Sequence, residues 1–403
     1  MKLSLRCPAS RSLATCFVLL VLVVGCHQDA TAPSPVVHFL IATGNNQQAS
    51  VCAAVPVAPA VHVDLDGKPQ SGVPVTFTVA AGGGSVTGGN VATGATGVAT
   101  VGSWTLGTDP GTNALTATAS ISGSVESVRF TATGQAEAVL RNVIIYTTEG
   151  FGLPDVAIVR PDGSCRRRLT TGDAAYAAPA ISPDGRRIAV ARNTSAWNAI
   201  WLMNADGSGL TSLVGHSDFD GSPAWSPDGR MIAFRSENPG PYGPFGRIYA
   251  VNLDGTGLQQ LSPDTPTYTY DDGPTWSPDG TRIAFSRNGE LQVINADGSG
   301  LTALSLGGQY PAWSPDGTHI AYGTSGGSWA IFVANADGSN PVALTTDAAQ
   351  KGQPRWSPDG QSLVFYRYLS ASQLFTIHAD GSGERKLSAA VVNEGWPNWS
   401  PLP

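Results

Sequence analysis

The amino-acid sequence predicts an all-β protein in two parts, a β-sandwich followed by a six-bladed β-propeller. Of the 403 residues, 48 are glycine, 29 are proline and only 13% are charged, a composition typical of short strands joined by tight turns. No long segment has the i, i+3, i+4, i+7 spacing of apolar residues that marks an amphipathic helix. Two short motifs, one containing Asp-Gly and the other SPDG, recur at a nearly constant interval after residue 138.

The first 26 residues form a segment of a different kind. A basic start is followed by about a dozen apolar residues, too few to span a bilayer but typical of a secretory signal peptide. The segment ends in Val-Val-Gly-Cys, which resembles the lipobox of bacterial lipoproteins. That resemblance implies a signal peptide over residues 1–25, lipid attached to Cys26 and a tether over residues 26–35. Several acyl chains would anchor the protein stably, and His27 favours the outer membrane by analogy. An ordinary signal peptide is the alternative.

Residues 36–135 have the pattern of a β-sandwich. Short alternating runs such as VPVTFTV and NALTATAS are separated by turn-forming stretches such as AGGGSVTGG. The segments GKPQSGVPVTFTVAAGGGSV and TGATGVATVGSWTLGTDPGTNALTATA resemble the bacterial Ig-like domains of invasin and intimin. The resemblance implies a spacer or an adhesive module. Trp104 is predicted to lie in the core of the sandwich.

Residues 138–403 contain the repeats. Asp-Gly pairs in matching sequence frames are spaced 44, 48, 43, 40 and 43 residues apart, beginning at Asp162. The SPDG motif runs alongside them in five full copies, and a sixth is cut short at Ser400. A period of 40 to 50 residues built from four short strands predicts the blades of a propeller. Asp-Gly suits tight hairpin turns, and the spacing of oxygen ligands in a calcium loop is missing, so these acids are predicted to be structural.

The patterns PxWSPDGxxIAF and NADGSGxxxLT resemble the WD-like propeller repeat of TolB and its relatives. The resemblance covers about 265 residues in six copies and implies the fold. It does not fix the function, because such repeats occur in transport proteins, peptidase accessory domains and polysaccharide lyases. The section opens with segments that match the second, third and fourth strands of a blade and closes with one that matches the first. The C-terminal strand is therefore predicted to complete the first blade and close the ring.

A candidate ligand site follows from placing the repeats in register. Residues three positions before the proline of each first strand are predicted to converge on the central channel, with their neighbours on the same rim. Three carboxylates against one lysine predict an acidic funnel for a basic peptide or a cation, and a solvated rim without a ligand is the alternative. The candidate residues are Tyr176, Asp220, Asp271, Tyr310, Lys351, Gln353, Glu394 and Trp396.

The longer connections are predicted to lie on the face of the propeller opposite the SPDG and Asp-Gly turns. Loops carried by a rigid scaffold are common recognition sites, and these loops are rich in aromatic residues. The predicted aromatic set on this face is Trp197, Tyr242, Phe245, Tyr268, Tyr270, Trp329 and Tyr368.

Composition and motifs narrow the classes of function. A net charge of −7 argues against nucleic-acid binding, and the run at residues 166–168 is expected to solvate a strand edge. Cys52 and Cys165 are compatible with a disulfide, but they are expected to stay apart because they lie in different predicted domains. The chain lacks H-E-x-x-H, its histidines lie singly, and no α/β-hydrolase domain follows the repeats, so no metal or other cofactor is expected.

Together these features predict a non-catalytic lipoprotein of the bacterial cell envelope, at the outer membrane or in the periplasm. The lipid holds it to a membrane, the Ig-like module acts as spacer or adhesive unit, and the propeller binds a protein or peptide of the envelope. The alternative is a carbohydrate-active propeller of lyase or hydrolase type, with its site over the central channel.

Overall fold

A computed structural model describes residues 35–149, 152–194, 197–214, 219–240, 243–265, 269–324, 329–387 and 392–401. Regular secondary structure in these ranges is entirely β, as predicted. None of the segments described forms a helix long and apolar enough to cross a bilayer. The predicted signal peptide and Cys26 lie outside the described residues.

Two sheets and a two-stranded ribbon make up the first part. One sheet has the order β1-β3-β4 with β8 also paired to β3, the other has the order β2-β11-β10-β5-β7, and β6 pairs with β9. The strands are β1 (Val37–Thr43), β2 (Gln47–Ser50), β3 (Ala60–Leu65), β4 (Lys68–Pro69), β5 (Pro74–Ala81), β6 (Ser85–Thr87), β7 (Asn90–Ala92), β8 (Val98–Thr100), β9 (Ser103–Thr105), β10 (Gly111–Ile121) and β11 (Ser124–Gln135).

One hydrophobic core joins these two sheets. Alternate residues of β5 point inward, which buries Val75 and Phe77 and leaves the threonines between them exposed. Phe77 packs on Phe130 of β11 with ring centroids 6.2 Å apart. Trp104 is fully buried in the same cluster, which confirms its predicted place in the core. A sandwich-type core is thus present, and its assignment to the Ig-like family stays a prediction.

The second part contains six four-stranded blades. Each runs from an inner strand at the channel to a short outer strand, and blades 2 and 3 are joined by a parallel bridge between Asn198 and Phe219. Blade 1 contains β35 (Asn393–Trp399), β12 (Ile144–Glu149), β13 (Asp155–Val159) and β14 (Arg167–Arg168); blade 2, β15 (Ala175–Ile181), β16 (Arg187–Thr194), β17 (Trp197–Asn204) and β18 (Thr211–Val214); blade 3, β19 (Phe219–Trp225), β20 (Met231–Gly240), β21 (Gly243–Asn252) and β22 (Gln259–Gln260). Blade 4 contains β23 (Asp271–Trp276), β24 (Arg282–Arg287), β25 (Glu290–Asn295) and β26 (Thr302–Gly307); blade 5, β27 (Gln309–Trp313), β28 (His319–Gly323), β29 (Ile331–Asn335) and β30 (Val342–Ala343); blade 6, β31 (Lys351–Trp356), β32 (Ser362–Tyr368), β33 (Ser372–His378) and β34 (Arg385–Lys386).

The C-terminal strand closes the ring. Strand β35 pairs antiparallel with β12, with Ile144 opposite Trp399 and Thr148 opposite Glu394. Beyond the strand, the Ser400 amide donates to the Val143 carbonyl at 2.8 Å, and the Val143 amide donates to Ser400 Oγ at 2.8 Å. Ser400 is fully buried. The predicted closure of blade 1 by the last strand is confirmed.

Hydrophobic clusters fill the interfaces between adjacent blades. Strands near the channel are buried on both faces, so successive residues serve different interfaces. In β12, Ile144 packs with Val364 and Leu374 of blade 6, whereas Ile145 packs with Ile188 and Met203 of blade 2. The interface between blades 6 and 1 therefore has the same kind of core as the others.

The repeated Asp-Gly turns are structural, as predicted. In one SPDG turn, the Ser277 hydroxyl donates to Asp279 Oδ1 at 2.5 Å, and the Arg282 amide donates to Ser277 Oγ at 2.9 Å. These hydrogen bonds, led by that of the Ser277 hydroxyl, lower the pKa of Asp279 to about 2. In the second kind of turn, Asp297 Oδ1 accepts from the Ser299 amide and hydroxyl at 2.9 and 2.6 Å, and Gly298 has a φ of +85°.

A disulfide joins Cys52 of the sandwich to Cys165 in blade 1. The expectation that these cysteines stay apart is wrong. They are separated by 113 residues along the chain, but the turn between β13 and β14 lies against the sandwich, where Arg160 Nη1 donates to the Cys52 carbonyl at 3.3 Å. Membership of different domains did not prevent pairing, because the cysteines lie where the two domains touch.

Removing residues 393–403 should expose the edge of β12 and the core between blades 6 and 1. Loss of several kcal/mol of strand pairing and burial is expected to lower the melting temperature by on the order of 10 °C or more. Circular dichroism melts of the truncated chain and of a control lacking only residues 402–403 check this. A truncated chain that melts like the control would contradict the role given to β35.

Candidate binding channel

A repeated backbone irregularity shapes the channel. In each blade the inner strand carries a bulge just before its proline, where the pairing register shifts. The residue before the proline has a left-handed backbone, which costs a non-glycine residue about 1–3 kcal/mol. These residues and their φ angles are Ala178 (48°), Ser222 (52°), Gly273 (63°), Tyr310 (52°), Gln353 (54°) and Trp396 (52°).

Three of these left-handed residues meet in the channel. The Trp396 backbone amide donates to Gln353 Oε1 at 2.7 Å. The rings of Tyr310 and Trp396 lie edge to face with centroids 5.2 Å apart. The structure therefore brings together three of the predicted site residues, from blades 5, 6 and 1, in one contact cluster.

A second polar cluster links blades 3 and 4. The Ser222 hydroxyl donates to Asp272 Oδ1 at 2.8 Å, and the Gly273 amide donates to the same oxygen at 2.7 Å. Arg235 Nη1 lies 3.8 Å from Asp272 Oδ2, and its Nη2 lies 3.5 Å from Glu237 Oε1. Arg235 is thus shared between the carboxylates of Asp272 and Glu237. The sequence prediction did not include Ser222, Arg235 or Asp272.

The three predicted carboxylates do not form an open acidic funnel. Asp271 is fully buried and forms a two-point ion pair with Arg287, at 2.6 Å to Nε and 2.7 Å to Nη2. Glu394 is 1% exposed and pairs with Arg166. Asp220 is also 1% exposed. Their common position in the repeat lies at the buried start of the inner strand, where the charges of Asp271 and Glu394 are paired with Arg287 and Arg166.

The other two predicted rim residues are also buried. Lys351 is fully buried, and its Nζ donates to Asp347 Oδ1 at 2.8 Å and to the carbonyl of Ala349 at 3.0 Å. Tyr176 is 2% exposed, and its hydroxyl donates to Asp173 Oδ1 at 2.8 Å. Arg192 Nε donates to that hydroxyl at 3.2 Å. These contacts anchor the start of the inner strands in blades 6 and 2.

One cavity near the axis has a volume of 390 Å³, and we call it the chamber. Its walls reach the Ser-Pro pairs that begin the SPDG turns, so it extends towards the face that the sequence predicted to be purely structural. Tryptophans and prolines of the PxWSP segments form much of its surface. It is lined by residues within segments 178–183, 222–227, 274–276, 353–358 and 396–401.

A second cavity, of 440 Å³, lies towards the opposite face. Glu149, Gln350 and Tyr368 line it, together with the buried Glu394. Gln353 and Trp396 line both cavities. The contact cluster of Tyr310, Gln353 and Trp396 therefore stands between the two mouths of the channel.

Burial changes the ionisation of groups near the axis. Desolvation raises the pKa of Tyr310 well above its ordinary value, with the Asp272 charge adding to the effect. Desolvation likewise lowers the pKa of Arg355, which lines the chamber, to about 10. Tyr310 is therefore a neutral hydroxyl at neutral pH, and Arg355 remains charged.

The aromatic residues predicted on the second face have mixed surroundings. Tyr368 is 47% exposed, and Trp329 is half-buried. Tyr270 donates its hydroxyl to Glu237 Oε1 at 3.1 Å and lies under the guanidinium of Arg235, 5.2 Å from its ring centroid. Tyr242, Tyr268 and the side chains of Trp197 and Phe245 lie outside the described residues.

A closed ring of six four-stranded sheets around a lined channel defines a β-propeller protein. The family model of the TolB beta propeller domain matches residues 141–263 and 242–403, about two-thirds of the chain. The chain therefore belongs to the TolB beta propeller family.

Comparisons with individual proteins support this family assignment. The chain is 31% identical over 170 residues to the protein TolB homolog of Chlorobium luteolum, a match that covers 41% of this chain and 36% of that relative. The crystal structure of TolB from Acinetobacter baumannii superposes with a TM-score of 0.56 at 17% identity, covering 73% of this chain and 80% of that one. The putative TolB from Agrobacterium tumefaciens gives 0.51 at 21% identity, covering 64% and 92%. The match spans about a third of the curated relative, and the two structures show likeness of fold.

The backbone strain of the left-handed residues before the prolines can be tested at Ala178. Replacing Ala178 with glycine relieves a backbone conformation that L-residues avoid, whereas Ala180→Gly, two residues along the same strand, only adds chain entropy and removes a buried methyl group. Ala178→Gly should be at least about 1 kcal/mol more stable than Ala180→Gly. Urea denaturation of the two variants measures this difference. Equal stabilities would show that the bulge is not strained.

Proposed function

We propose that this protein is a non-catalytic scaffold of the bacterial cell envelope whose propeller binds a protein or peptide through its channel. The chamber carries the proposal. It is a concave cavity of 390 Å³, a size typical of ligand pockets, and its tryptophans and prolines offer apolar surface that a peptide would cover. Four non-glycine residues with a left-handed backbone line it, a form of strain that clusters at binding sites.

Similarity to a protein TolB homolog and to TolB structures supports a place in the envelope. We further propose that Cys26 carries lipid and that residues 36–135 form an Ig-like spacer between the membrane and the propeller. The disulfide between Cys52 and Cys165 supports an oxidising compartment outside the cytoplasm. This arrangement would hold the channel at a fixed offset from the membrane surface.

Blocking the chamber tests the binding function. Ala224 lines the chamber, so Ala224→Phe should fill part of it and reduce partner recovery from envelope extracts several-fold. Thr302→Phe, on the exposed outer strand of blade 4, adds the same side chain away from the channel and should leave recovery unchanged. Quantitative mass spectrometry of pull-downs with both variants and wild type gives the comparison. Recovery that survives Ala224→Phe but falls when residues 236–246 are shortened would move binding to the second face, and equal recovery with all variants would refute channel binding.

The lipid anchor has a separate test. Cys26→Ser should move the protein from the membrane fraction to the soluble fraction and abolish incorporation of labelled palmitate, because the acylated sulfur is lost. Cys52→Ser, which breaks the disulfide but leaves the lipobox intact, serves as the control and should stay with the membrane. Membrane association that persists in Cys26→Ser would contradict anchoring through this cysteine.

A further inference from the structure

One position of the repeat is charged in blade 6 and neutral in the other five blades. In each blade a single residue lies between the proline of the inner strand and the residue that precedes the SPDG motif. Blade 6 has Arg355 at this position, whereas the other five blades have small or neutral residues there. The five neutral residues are Ala180, Ala224, Thr275, Ala312 and Asn398. Because five blades fold without a charge at this place, the propeller scaffold itself does not require the arginine.

The chamber wall is otherwise uncharged. Among the described residues that line it, Arg355 is the only one with an ionisable side chain. Trp225, Trp276, Trp356 and Trp396 share the lining with prolines and alanines. A single guanidinium thus lines a cavity whose other walls are mainly tryptophan, proline, alanine and neutral polar residues.

Arg355 also differs from other arginines of the propeller. Arg287 pairs with Asp271, Arg166 with Glu394 and Arg192 with Asp173, each within ion-pair distance. In the part of the chain that the structure describes, no carboxylate lies within 4.0 Å of the Arg355 guanidinium.

The nearby acid and the one hydrogen bond do not neutralise this cation. Arg355 Nη1 donates to the carbonyl of its neighbour Pro354 at 2.9 Å. Asp272 accepts a hydrogen bond from Ser222 and lies 3.8 Å from Arg235, and it does not come within ion-pair distance of Arg355. A half-buried cation with no carboxylate at ion-pair distance gains more from an incoming carboxylate than a fully exposed one does, because part of its desolvation cost has been met in folding.

We propose that Arg355 binds a carboxylate of the peptide that enters the chamber, with the adjoining residues of the peptide packed on the tryptophan and proline walls. The inference rests on the proposed function and specifies its ligand. It reverses the charge expected from the sequence, where an acidic rim predicted a basic partner. The carboxylate comes either from the C-terminus of the peptide or from an aspartate or glutamate side chain.

Three synthetic peptides separate these sources. They are acetyl-Ala-Pro-Phe with a free carboxylate, the same peptide as its C-terminal amide, and acetyl-Ala-Glu-Phe amide. Calorimetry with the full detergent-solubilised chain, disulfide intact, should show at least one acidic peptide binding about tenfold or more tighter than the neutral amide. Preference for the free acid alone assigns the C-terminus, and comparable binding of the glutamate peptide assigns a side chain.

Substitutions connect the preference to Arg355. Arg355→Met keeps the length of the side chain and should abolish the preference for acids, while Arg355→Lys should keep part of it. Arg230→Met removes an exposed charge beside the SPDG turn of blade 3 and should leave the preference intact. Thermal melts confirm that the variants are folded. Equal affinity of acid and amide for wild type, a preference that survives Arg355→Met, or no binding of any peptide at millimolar concentration would overturn the proposal.

The two proposals fail in different ways. A partner recovered equally by wild type and Arg355→Met, but lost with Ala224→Phe, would support channel binding and refute the role of Arg355. Discrimination between acid and amide peptides that depends on Arg355, without any partner captured from the envelope, would support the carboxylate site and refute the scaffold function.

Discussion

The antiparallel pairing of β12 with β35 is the contact on which the rest of the propeller depends. It joins residues about 250 positions apart in the chain and turns a row of blades into a ring. Strand β35 supplies Trp396 and Asn398 to the chamber wall and Glu394 to the ion pair with Arg166. The buried hydrogen bonds between Ser400 and Val143 fix its register. The channel therefore exists only in the closed ring.

Within the repeats, some positions are constant and form the turns, whereas others vary and line the channel. The serine, aspartate and glycine of the SPDG turns bond to one another. In blades 3 and 6 the tryptophan before the turn also bonds to the preceding blade: Trp225 Nε1 donates to the Ala180 carbonyl at 3.0 Å, and Trp356 Nε1 to that of Ala312 at 3.1 Å. By contrast, the left-handed residue and the residue after the proline vary from blade to blade. In five of the blades these positions contribute to the lining of the chamber, among the described residues, so the same backbone presents alanine, serine, threonine, glutamine, arginine, asparagine and tryptophan side chains there.

The sequence was sufficient for the fold because turn chemistry and periodicity repeat locally. SPDG and Asp-Gly each define a turn within a few residues, and the split blade could be seen from the strand types at the two ends. The candidate site in the channel was harder to predict, because the position of a residue in the repeat does not determine the direction of its side chain. Asp271 and Glu394 share a register that looked axial, yet they lie against Arg287 and Arg166. Arg355 was detectable in principle, as the one charge among six aligned positions. The pairing of Cys52 with Cys165 depends on how two domains touch, which no local pattern encodes.

The disulfide also changes how the molecule carries mechanical load. A pull applied at the N-terminal end reaches Cys52 after β1 and β2 and then passes directly through the sulfurs to Cys165. The 112 intervening residues, which include β3 to β13, lie outside this covalent path. Tension between a tethered N-terminus and a ligand held in the channel would therefore bypass most of the sandwich core and the connection between the domains. Strands β3 to β11 are then shielded from this force, whereas β1 and β2 remain in its path.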